Sequence, residues 1–206
     1  CESMDTNLQL GEPAAAYPVN NAGRGLQPNV LDTRSAQADG DVWADWKHKT
    51  ESTNLRLHLL GKPGRRYLTA RYAKPDAPPI RFFFPEDEQE GAASEFVAVW
   101  EPYVGERFVE RVERLSVEGD GAGPFSPMGV RVTLAGGQVD TFIYTGDPAA
   151  EVECDGIRLQ GRFGYYSEQD GRPRCLHLVD GRSLTKATVA IEDPVGPFIS
   201  NVTAVE

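Results

Sequence analysis

Over residues 54–60 apolar and polar positions alternate, with Leu55, Leu57 and Leu59 on one side and Arg56 and His58 on the other. A period of two marks a strand with one covered face, so the three leucines are expected inward and Arg56 and His58 outward. Residues 41–49 carry a matching pattern, with Val42, Ala44 and Trp46 on one face and Trp43 opposite. The two segments predict a hairpin. A richer pattern fills residues 94–118. There Phe96, Ala98 and Trp100 alternate with Val97 and Val99, Pro102 and Gly105 interrupt, and Phe108, Val109, Val112, Leu115 and Val117 follow. Two β-rich runs around a Pro/Gly break read as a second hairpin, apolar on both faces and central to the fold, with Trp100 in the core.

Further short strands are predicted at 67–72, 80–84, 130–134, 139–144, 151–154, 157–159, 162–167, 174–179, 183–184 and 186–191. Residues 30–35 read as a strand end and turn. Turn signals stand at Asp39-Gly40, Gly136-Gly137, Asp155-Gly156, Asp170-Gly171 and Asp180-Gly181. Within Tyr165-Tyr166 one ring is expected inward and the other outward. No segment shows a convincing helical period; 108–115 comes nearest. The fold class is therefore all-β, an antiparallel multi-stranded β-sandwich (supersandwich-like) with little or no helix. Residues 1–29 read as an irregular N-terminal segment with at most one short strand, at 7–10. Residues 30–206 read as the sandwich domain.

With 206 residues, the chain can bury a core without covalent staples. Its formal charge of −10 argues against nucleic acid, since phosphate binding needs clustered Lys and Arg. No apolar run reaches the roughly 18 residues of a membrane span. Cys1, Cys154 and Cys175 are too few for a disulfide framework or zinc site; Cys154 and Cys175 both fall on predicted strands, where a bridge between them is the alternative to the expected buried free thiols.

Candidate chemistry is sparse. His48, His58 and His177 show no metal-ligand spacing, and no GxSxG elbow is present. The histidines at 58 and 177 read as surface-facing or internally satisfied. The acidic run 86–90 reads as a solvated loop, because a calcium loop places Asp or Asn at alternate positions before a Gly turn. No catalytic set, metal site or cofactor is predicted. Flat rings and one basic position leave Trp43, Trp46, His48 and Tyr103 as candidates for carbohydrate contact.

Several stretches in order resemble the C-terminal β region of heparinase II/III-like polysaccharide lyases. They begin with VLDTRSA at 30–36, WADW at 43–46 and LRLHLLGKPG at 55–64. FVAVWEPY at 96–103 is similar to the family's F-V-T-V-L-x-P-Y strand. DTFIY at 140–144, Asp155-Gly156, GRFG at 161–164 and LVDGRSL at 178–184 complete the set. The resemblance implies an upstream (α/α) toroid as partner and a periplasmic or extracellular location. It also implies β-elimination on a uronate-containing polysaccharide, in which a Tyr or His takes the C5 proton. The catalytic motifs of such enzymes are not visible here, so a structural or cleft-wall role is expected. Cys1 fits either a lipid-anchored mature terminus or a chain cut from a longer protein, and the resemblance favours the second. The alternative is a freestanding carbohydrate-binding or surface module, with or without a lipid anchor.

Overall fold

The computed structural model describes residues 3–11, 30–48, 50–74, 77–87, 94–119, 127–192 and 198–203. Its backbone contacts fall into two units, Cys1–Arg107 and Phe108–Glu206. Sixteen strands and no helix occur among the described residues, and every pairing is antiparallel.

In the first unit, β1 (Ser3–Thr6), β3 (Val42–Lys47), β4 (Thr53–Leu59) and β7 (Ala98–Val104) form one sheet in the order β1-β3-β4-β7. The predicted β3–β4 hairpin is present: Val42 lies opposite Leu59, Ala44 opposite Leu57 and Trp46 opposite Leu55. A second sheet has the order β2-β5-β6, built from β2 (Val30–Gln37), β5 (Arg66–Lys74) and β6 (Ala77–Glu86). The apolar face of the first sheet packs on the second through Val42, Leu59 and Tyr67, with Leu8, Ala38 and Phe83 around them. The Trp46 indole donates to the Arg81 carbonyl across the same layer, at 3.3 Å.

Beside this core, Arg65 is buried and ties three segments together. Its guanidinium pairs with Asp87 at 2.8 Å and donates to the carbonyls of Leu60 and Glu95. The Phe96 ring lies 4.5 Å from it. Asp87 therefore does not belong to a solvated acidic loop: its side chain is 5% exposed because Arg65 and Lys62 both claim it. Residues 88–90 lie outside the described ones.

The second unit consists of β8 (Val109–Leu115), β9 (Glu118–Gly119), β10 (Met128–Leu134), β11 (Gln138–Tyr144), β12 (Glu151–Cys154), β13 (Ile157–Gln169), β14 (Arg172–Lys186), β15 (Val189–Glu192) and β16 (Phe198–Thr203). Its spine is the long β13–β14 hairpin. The first half of β13 pairs with β12 and the second half with β11, while β14 meets β16 first and β15 later. Both strands shift register near Gly161 and Gly181. A Cβ on Gly181 would stand 2.6 Å from the Gly161 Cα, so only two glycines permit so close an approach. The sheet folds there, and Val152, Cys154, Ile157, Leu159, Leu184, Val189 and Ile191 close on Ile143, Tyr166, Leu176 and Leu178. Tyr166 is the inward ring of its pair; Tyr165 packs against Phe142 at a tilt of 36° and donates to Asp140. Cys154 and Cys175 are free thiols.

Several sequence expectations give way. β7 and β8 do not pair with each other: β7 joins β4 and β8 joins β10, so residues 94–118 are no hairpin. The break between the two units falls inside that stretch. Trp100 is 56% exposed, on a strand that stands at the edge of its sheet among the described residues. Residues 30–35 belong to β2, with a bulge between Leu31 and Arg34 where a turn was expected. The N-terminal strand is Ser3–Thr6, four residues before the segment the alternation suggested. Asp180-Gly181 lies within β14, where the left-handed Asp180 (φ 50°) serves the fold of the sheet instead of a chain reversal.

Candidate functional site

The first sheet has a second face, and it is not a solvent face. Alternation sends Asp45, Arg56, Glu101 and Tyr103 away from the apolar layer, yet all four are buried. The pairing register explains their meeting: Asp45 lies opposite Arg56, and Arg56 opposite Glu101, forming a row of alternating charge across three strands. The Arg56 guanidinium is 2.8 Å from an Asp45 oxygen. His58 Nε2 is 2.8 Å from Glu101, whose side chain is fully buried. A carboxylate only accepts, so Nε2 is the protonated nitrogen. The Tyr103 hydroxyl donates to the Asp45 carboxylate, 2.9 Å from both oxygens.

Tyr103 is held in its neutral form. Burial and the hydrogen bond to the anionic Asp45 both push its pKa up from the ordinary phenol value. A phenol so placed keeps its proton, shares it in a hydrogen bond with a fixed carboxylate and is not poised to take one from a substrate. Geometry and electrostatics together make this row a clamp across β3, β4 and β7. Among the described residues, no group of three His, Cys, Asp or Glu is arranged to hold a metal.

The four candidate residues do not converge. Trp43 and Tyr103 share the charged face, and the Arg56 guanidinium covers the Trp43 ring at 3.9 Å. Trp46 points to the opposite face and pairs with Trp100, centroids 6.0 Å apart at 31°. His48 follows β3, and its Nδ1 accepts the Glu51 amide at 3.0 Å, capping the β3–β4 turn. Arg56 and His58 do lie on the face opposite the leucines, but Arg56, expected in solvent, is buried, while His58 is the internally satisfied histidine that the sequence allowed. The available signal was the register itself, which sets acid against base at three neighbouring strand positions.

Comparison of the chain with family models, curated proteins and solved structures gives no match.

Proposed function

We propose that this chain is the C-terminal β-sandwich portion of a heparinase II/III-like polysaccharide lyase. It acts within a periplasmic or extracellular enzyme that cleaves uronate-containing polysaccharide by β-elimination. Its role is to buttress an upstream toroid and form one wall of the substrate cleft, without a complete catalytic set of its own. One observation carries this reading. WADW and LRLHLL form a hairpin, the remote FVAVWEPY adds the next strand of the same sheet, and each contributes to the buried Asp45–Arg56–Glu101–His58–Tyr103 network. Motifs kept in order that meet in one charged clamp suit a part that must hold a rigid surface. Incubating the isolated chain with heparin, heparan sulfate and alginate, and following absorbance of the unsaturated product, tests the assignment: no turnover is expected. Robust turnover would overturn the incompleteness. Restored turnover on adding the toroid part of the same protein would support the parent activity, and its absence with a folded toroid would remove it.

A second reading, a freestanding carbohydrate-binding module, is favoured by the exposed Trp100 ring beside Trp46. Saturable glycan binding by the isolated chain that is lost in Trp100→Ala, with folding retained, selects this reading over the first.

A further inference from the structure

On the inner face of the second sheet of the first unit, the apolar layer of Tyr67 and Phe83 gives way to arginines. Arg71 and Arg81 lie directly opposite each other on β5 and β6, and Arg34 lies opposite Thr69 on β2. All three line a cleft of about 390 Å³ whose walls include Met4, Thr6 and Thr69. Like charges directly opposite across strands are destabilising. One carboxylate compensates: Asp32, held in the left-handed region (φ 52°) before the β2 bulge, stands 2.8 Å from Arg71 Nε. Among the described residues the side chains of Arg34 and Arg81 have no ion-pair partner. Three guanidiniums against one acid give the cleft a local charge of about +2 in a chain of net charge −10.

We propose that this cleft is a binding site for an oxyanion, a carboxylate, sulfate or phosphate carried on a ligand about the size of one sugar ring. Guanidinium forks match such groups in a bidentate way, and the apolar Met4 side of the wall suits the body of a ring. Asp32 neutralises Arg71 as an ion pair, which leaves Arg34 and Arg81 to meet the ligand. Such binding requires no lyase parent.

The test titrates the whole chain with inorganic sulfate, inorganic phosphate, D-glucuronate and neutral D-glucose at matched ionic strength, by calorimetry and thermal melting. Saturable binding of at least one anion is expected, with none for glucose. The double variant Arg34→Gln, Arg81→Gln should weaken that binding at least tenfold and melt, without ligand, no lower than the native chain. Preference for glucuronate identifies a uronate site, and preference for phosphate identifies a phosphoryl ligand; either supports the proposal. Absence of saturable binding by the native chain, or equal binding by the folded double variant, overturns it. If the double variant fails to fold, Arg81→Gln alone is titrated under the same criteria, and its misfolding in turn would show the arginines to be structural.

Discussion

The Tyr103 hydroxyl reaches the Asp45 carboxylate over the top of an intervening strand, linking β7 to β3 through a bond that the backbone ladder does not supply. Removing it by Tyr103→Phe leaves a buried acceptor short of one donor, at a cost of about 1–3 kcal/mol. Urea unfolding followed by tryptophan fluorescence measures this directly, because Trp43, Trp46 and Trp100 all lie in the first unit. Asp45→Ala should cost more, about 3–5 kcal/mol, since it strands the buried Arg56 charge as well.

Acid stability carries the imprint of Asp87. Hydrogen bonds from Arg65, outweighing its burial, hold the carboxyl at about 2 against an ordinary 3.8. A carboxyl lowered on folding stabilises above its unfolded value and loses that contribution as pH falls through the folded one. The loss therefore runs from about pH 4 down to about pH 2 and amounts to about 2 kcal/mol. Unfolding free energies of the native chain and of Asp87→Asn, measured from pH 6 to pH 2, should differ in slope across that window. Parallel curves would sink the assignment.

Burial pushes the Cys154 thiol up to about 11, with the neighbouring Asp155 adding to the effect and Arg131 opposing it. Alkylation by iodoacetamide at pH 8, with peptide mapping, should leave Cys154 unmodified in the native protein and modify it after unfolding. Gly129 makes the room for this sulfur, since a Cβ there would stand 2.5 Å from it. Gly129→Ala should destabilise by about 1–3 kcal/mol, read from urea unfolding.

Exposure separates two residues that the sequence placed together. Trp100→Ala should cost less than about 1 kcal/mol, since a 56% exposed ring has little burial to lose. Leu57→Ala, directly opposite it on β4 and buried, should cost about 2–5 kcal/mol. Paired urea titrations settle the order.

Much of the fold was legible where the signal was local. The β3–β4 hairpin follows from two facing alternations, and Gly136-Gly137, Asp155-Gly156 and Asp170-Gly171 take the positive φ values that hairpin turns need. The reading failed where partners were remote. A Pro/Gly break says that the chain turns, not whether the flanking strands pair, and β7 and β8 find partners elsewhere. The Ala187 turn, φ 52°, carries no glycine and left no sign. Alternation gave the period at Arg56 and His58 correctly. It was silent on whether the second face is covered, which depends on Asp45 and Glu101 on neighbouring strands. The arginine cleft was hidden for the same reason, because its three members are brought together only by the β2-β5-β6 pairing.

The two glycines at the fold of the second unit also bear on how that unit can fail. Both of its layers are built on the two halves of one hairpin, so their mutual placement is written into the backbone as well as into the adhesion between their faces. A weakened core can let the layers gape, but it cannot let them slide past one another or part. The crease at Gly161 and Gly181 thus works like the spine of a book, and substituting either glycine attacks the binding while leaving the pages intact.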